Sequence, residues 1–320
     1  MKIKNATLKC VGVSMSTLIT LGALQGCTSA DRALRSSTVS NEKNRIEKPL
    51  VDTIEKVSTG LTQVAYKDLA TLTTSPPSSV ITYGDDPLQR IYHWQASGVN
   101  ERLPSSARAV IYIHGGCWLN AYDYTHANGF YHALQEKGMN VYAVEYRRTG
   151  DDGGGWPGSL NDVKSGIETA LKHIAVKNQH SNVFVVGHSA GGHLALLSTD
   201  VLQKQYDGLN INAVVGLAAI TDITSYANGD NSCQSATSSF MAATPEQAPA
   251  AYFDATPVIT NVSLPVVLLQ GDADSIVPQK HASLDGAKAV IIANGGHFDW
   301  LHSQSTSFNA LLSVFGEHNE

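Results

Sequence analysis

Ser189 stands in "GHSAG", residues 187–191, with His188 before it and His193 after it. A serine hydroxyl is a weak nucleophile until a base takes its proton, so the spacing asks which histidine serves. His188 directly precedes the serine, and on a sharp turn adjacent side chains point apart. His193 follows one helical turn later, away from the direction in which such a turn aims the serine. Both read as hydrogen-bonded scaffold. A third histidine, His297 in "GGHFDW" (295–300), follows an apolar run and two glycines that suit a loop at a sheet edge. "QGDADSIVP" (270–278) offers Asp272 and Asp274 just past another apolar run. Either carboxylate could hold the far nitrogen of the imidazole and stabilise its charged form. Serine, carboxylate and histidine in that arrangement transfer acyl groups, and the tetrahedral oxyanion of acyl transfer needs N–H donors. "IHGGCW" (113–118) supplies Gly116 and Cys117 for that purpose, with Ala190 as a third. His114, His188 and His193 show no HExxH or paired-cysteine spacing, so no metal is expected, and acyl transfer by a serine, a histidine and a carboxylate requires no organic cofactor.

These residues need a scaffold that brings three distant stretches to one edge. Short apolar runs alternate with helix-length segments from about residue 78 onward. "SVITYG" and "RIYHWQ" read as an opening antiparallel pair. "AVIYIHGG", "NVYAVEYR", "NVFVVGHS", "AVVGLAA", "PVVLLQGDAD" and "AKAVIIANGGH" are continuous Val/Ile/Leu runs, the pattern of strands covered on both faces. Between them, Val163, Ile167, Ala170, Leu171 and Ile174 share one helical face. The alternation predicts a mostly parallel eight-stranded sheet with helices on both faces. Residues 221–262, polar and rich in Ala, Ser and Thr, break the rhythm and read as a cap-like insertion over the C-terminal edge, where ligands bind in such folds.

Hydrophobic residues make up 42% and charged ones 16% of 320, enough for a sizeable core and against global disorder. A formal charge of −6 with no long basic run argues against nucleic acid as a partner. Lys2, Lys4 and Lys9 precede the apolar "VGVSMSTLITLGAL", which has the length of a signal-peptide core rather than a membrane span. It ends in "LQGC" at Cys27, which resembles the bacterial lipobox, in which the cysteine is lipidated and becomes the new N-terminus. That resemblance implies a signal peptide over 1–26 and a lipid anchor on Cys27. Polar, aperiodic residues 27–60 then form a tether, with a catalytic domain over 61–320. The expectation is an exported lipoprotein on the periplasmic face of the outer membrane. The alternative is a soluble secreted or periplasmic protein. Oligomeric state is not legible.

Together, "GHSAG", "HGGCW", "GDADSIVP" and "GGHFDW" resemble the α/β-hydrolase superfamily, whose members place serine, acid and histidine in that chain order. "EYRRTGDDGGGWPGSLNDV" (145–163) extends the likeness to the esterase branch related to hormone-sensitive lipases, kynurenine formamidases and feruloyl-esterase-like enzymes. The resemblance covers about residues 75–318. It implies the α/β-hydrolase fold and a Ser189, Asp274, His297 triad. Asp274 holds the fifth place of a pattern like "HGxxDxxVP", with Gln270 in place of the leading histidine and Asp272 in reserve. Gly116, Cys117 and Ala190 become the oxyanion donors. It further implies a carboxylesterase for small or aromatic esters. An arylformamidase or other amidase or peptidase using the same triad, or a non-catalytic hydrolase-like binding protein, are the alternatives. The span from Asp274 to His297 is short for the branch, so the helix between them should be abbreviated. Cys117 in the oxyanion loop and Cys233 in the insertion could pair as a disulfide in an oxidising compartment, with two buried, unpaired thiols as the alternative.

Overall fold

The computed structural model describes residues 51–53, 60–97, 108–177, 181–204 and 206–316. The expected signal peptide, Cys27 and nearly all of the expected tether lie outside the described residues. Among the described residues nine strands form one sheet: β1 (Val51–Thr53), β2 (Ser79–Thr82), β3 (Arg90–Trp94), β4 (Arg108–Ile113), β5 (Met139–Val144), β6 (Ser181–His188), β7 (Leu209–Leu217), β8 (Val266–Gly271) and β9 (Lys288–Ile292). Their order is β1-β9-β8-β7-β6-β4-β5-β3-β2. β2 pairs antiparallel with β3, and β3 with β5, while every other pairing is parallel. The eight strands read from the sequence are therefore β2 to β9. β1, from the segment read as tether, adds a three-residue parallel edge against Ala289–Ile291.

Burial on both faces explains the continuous apolar runs. Ala109, Ile111 and Ile113 of β4 enter one apolar layer, and Val110 and Tyr112 enter the other. The first layer is filled by α2 (Gly158–Lys177), whose Val163, Ile167, Ala170, Leu171 and Ile174 are all buried, and by α3 (Ala190–Leu196) and α4 (Thr199–Leu202). Phe130, Tyr131 and Leu134 of α1 (Asn128–Glu136) sit in the second layer.

Between β7 and β8 the chain makes the expected insertion as three short helices: α5 (Ile223–Ala227), α6 (Ser232–Met241) and α7 (Pro249–Asp254). α6 starts on a reciprocal cap: Asn231 accepts from the Gln234 N–H, and the Gln234 side chain accepts from the Asn231 N–H. After β9 comes α8 (Thr306–Val314), which completes the second layer with Phe308, Leu311 and Leu312. Among the described residues no helix is long and apolar enough to cross a membrane.

Candidate active site

β6 ends at His188 and α3 begins at Ala190, so Ser189 is the single residue of the turn, at φ 55° and ψ −122°. A non-glycine residue adopts that backbone only where its surroundings impose it. Here the Ser189 N–H donates to Leu217 O at 2.8 Å, and Ser189 O accepts from the His193 N–H at 3.1 Å. Close approach adds the rest. A Cβ on Gly191 would run into the carbonyl oxygens of Ile113 and His114, so glycine alone lets the turn lie against the end of β4.

His297 follows β9, and its Nδ1 lies 2.8 Å from Asp274 Oδ2. The carboxylate is itself fixed. Oδ1 accepts from the N–H groups of Ile276 and Val277, both at 2.8 Å, and Oδ2 accepts from Gln270 Nε2 at 3.2 Å. Gln270 stands where the family pattern has histidine. Its amide also donates to Val277 O at 2.9 Å, so it ties the acid loop to the end of β8. Asp272, the reserve acid, is exposed and turned elsewhere, accepting from the Asn294 N–H at 2.6 Å. Between the acid and β9 the helix is reduced to the 3₁₀ turn Gln279–His281, the abbreviation expected from the short spacing.

Cys117 and Cys233 form a disulfide, with Cα atoms 5.0 Å apart, so α6 is covalently joined to the "HGGC" loop. Among the described residues the N–H groups of Gly116, Cys117 and Ala190 have no hydrogen-bond acceptor. A Cβ on Gly115 would stand 2.9 Å from His188 O and 3.2 Å from Ser189 Cβ, which shows how closely this loop faces the serine.

A buried polar cluster supports the loop from beneath. Glu145 accepts from Arg148 Nη1 at 2.9 Å and from the Tyr124 N–H at 3.0 Å, and faces His114 Nε2 at 3.3 Å. Burial pushes the Glu145 carboxyl up, but His114, Arg148 and the Tyr124 N–H outweigh it and hold it below the usual range. Tyr146 donates to His114 O at 2.9 Å. None of these roles was read from the "EYRR" motif itself; charged residues in an otherwise apolar strand exit are the only signal it carries.

Ser189, His297, Gly116 and Cys117 open on one cavity of about 290 Å³. One wall is aromatic, from Tyr66, Tyr122, His126 and Phe298 with Ile276 beside them, and Ser232 and Cys233 of α6 line another part. Tyr66 packs edge-on against Phe298 at 5.3 Å and Tyr122 at 5.9 Å. Sequence reasoning missed this wall. Tyr66 reaches it because the buried Asp299 carboxylate, two residues past His297, accepts from the N–H groups of Gln63 at 3.0 Å and Val64 at 2.7 Å.

The two histidines flanking the serine are scaffold, as expected. His188 Nε2 donates to His297 O at 2.9 Å, and His193 Nε2 donates to Ala255 O at 2.7 Å. Burial, with His297 beside it, holds His188 well below its ordinary value. Burial brings His193 and His281 down to about 4. The unfolded chain binds these protons near 6.5 and the folded one only near 4, so stability is full above 6.5 and drains as pH falls between those values. His193 alone, fully buried, is expected to remove about 3 kcal/mol by pH 4. Urea midpoints that stay constant from pH 7 to pH 4 would contradict this.

The sequence pattern of the BD-FAE family matches residues 99–285, more than half of the chain. A kynurenine formamidase of Meyerozyma guilliermondii is 25% identical over 257 residues, covering 76% of this chain and 88% of that protein. Among solved structures, esterase B from Lactobacillus rhamnosis superposes with a TM-score of 0.59 at 18% identity, covering 78% of this chain and 88% of that one. A truncated carbohydrate esterase from gut microbiota gives 0.57 at 20% identity, covering 77% of this chain and 98% of that one. At such identities the structural likeness carries the fold, and the family match carries the rest: the chain belongs to the BD-FAE family of α/β-hydrolase esterases.

Proposed function

We propose that the chain is a serine carboxylesterase that cleaves small or aromatic carboxylic esters through an acyl-enzyme. The observation that supports this most directly is the 2.8 Å pairing of Asp274 with His297, which lines the same cavity as Ser189. With Nδ1–H held by Asp274, Nε2 of His297 is left to take the Ser189 proton as Oγ attacks the acyl carbonyl. The oxyanion that forms is met by the unpartnered N–H groups of Gly116, Cys117 and Ala190. His297 returns the proton to the departing alkoxide. A water, deprotonated by the same nitrogen, then attacks the acyl-enzyme and releases the acid.

A second reading, hydrolysis of aryl formamides, is favoured by the aromatic wall and by the kynurenine formamidase relative. It uses the same steps with an amine as leaving group. The cavity's size argues against long acyl chains for either reading. The test is a panel of p-nitrophenyl esters from acetate to laurate, phenolic esters and N-formylkynurenine, run beside fluorophosphonate labelling with mapping of the labelled residue. Turnover of the short or aromatic esters and a label on Ser189 are expected. Formamide turnover far above ester turnover would favour the second reading, and no turnover with no label would sink both.

A further inference from the structure

The loop from Gly116 to Trp118 has three successive residues at positive φ: 110°, 54° and 58°. Two of the three are not glycine, and such a run persists only where neighbours fix it. The backbone ties lie at its downstream side, where the Leu119 N–H donates to Gly116 O at 2.9 Å and the Thr149 N–H to Trp118 O at 2.8 Å. Both side chains of the strained pair turn to the insertion. Cys117 is bonded to Cys233, and Trp118 stacks on Phe240 with ring centroids 4.8 Å apart and planes 12° off parallel. Cys233 and Phe240 both belong to α6. α6 is in turn anchored away from the loop. Asn231 at its start donates to Ile276 O at 2.9 Å, and Ile276 N–H holds the Asp274 carboxylate. At its other end Phe240 O accepts from the Trp156 N–H at 2.9 Å.

We infer that α6 is a strut that holds the oxyanion loop in its working conformation through Cys233, so that reducing the Cys117–Cys233 bond lowers turnover without weakening substrate binding. This rests on the reading of Ser189 and the "HGGC" loop proposed above. The relation is the reverse of a lid: the insertion acts on the chemistry by fixing the backbone N–H of Cys117, and Cys233 is a positioning residue. An external dithiol supplies the two electrons and two protons. Its thiolate attacks one sulfur to give a mixed disulfide, and its second thiol resolves that to the cyclic dithiol disulfide and two free cysteines. Oxidised glutathione runs the exchange back.

The experiment measures kcat and KM for p-nitrophenyl acetate on the full chain, oxidised, treated with dithiothreitol, and reoxidised, beside Cys233→Ser. Misplacing one donor predicts a fall in kcat of about 10- to 100-fold on reduction, with KM within about twofold, and recovery on reoxidation. Cys233→Ser is expected to reproduce the low kcat and to ignore dithiothreitol. Affinity for a trifluoromethyl ketone, which presents an oxyanion, should fall with kcat/KM. Unchanged kcat in protein whose two thiols titrate as free overturns the strut, as does a loss confined to KM. If Cys233→Ser does not fold, the reduction and reoxidation of the native chain decide alone. Fluorophosphonate labelling of oxidised protein separates the two failures: no label on Ser189 overturns the site and the strut together, whereas a label with kcat indifferent to reduction overturns the strut only.

Discussion

Ser189→Ala is expected to lower ester turnover by about 10⁴- to 10⁶-fold, the loss that follows removal of the attacking atom when the rest of the machinery stays in place. The fold should not notice. Ser189's ties to its neighbours are made by backbone atoms, with the N–H on Leu217 O and the carbonyl on the His193 N–H. Alanine keeps both. The proposed oxyanion donors are other residues, since the Ser189 N–H is already committed to Leu217. Residual hydrolysis would come from water attacking an ester bound against those donors. kcat on p-nitrophenyl acetate measures the loss, and an unchanged urea midpoint assigns it to chemistry. Activity within tenfold of the parent would remove Ser189 from the role of nucleophile.

What the sequence made legible and what it hid divide by range of interaction. Six of the eight strands, β4 to β9, were readable because a strand covered on both faces is apolar along most of its length, a local property, whereas β2 and β3 were read as an opening antiparallel pair. The strand–turn–helix at Ser189 was readable because its glycines have no substitute: a side chain at Gly191 would meet the carbonyls of Ile113 and His114. Gln270 was noticed only as a departure from the family pattern, yet its amide donates to Asp274 Oδ2 and Val277 O, the two hydrogen bonds that hold the acid loop. The aromatic wall was invisible for a different reason. Residues 61–72 carry no period, and Tyr66 is placed by Asp299 reaching 235 residues back to the Val64 N–H. No spacing announces such a contact. The same holds for α6. Its Ser-rich sequence has little apolar contrast, and what gives it meaning is where Cys233 and Phe240 end up.

Asp274→Asn is expected to lower kcat by about 10⁴-fold while Asp272→Asn changes it by less than about threefold, although the two residues sit two positions apart in one loop. The difference lies in what each carboxylate accepts. Asp274 takes four donors, two from the backbone at Ile276 and Val277 and two from His297 and Gln270. An asparagine has one acceptor atom for them. If its oxygen stays on the Ile276 and Val277 N–H groups, its NH₂ faces His297 Nδ1, which must then accept. That moves the imidazole proton to Nε2, the nitrogen needed for the serine, and the base is in the wrong tautomer. If the amide flips, its NH₂ opposes two backbone donors and the loop is strained instead. Asp272, by contrast, accepts the Asn294 N–H from an exposed position, which an asparagine oxygen does equally well. Steady-state kinetics of the pair on one ester, with urea midpoints to exclude unfolding, read the outcome directly. Equal losses in both variants would refute the acid assignment, because only the partner of His297 Nδ1 can set which nitrogen carries the proton.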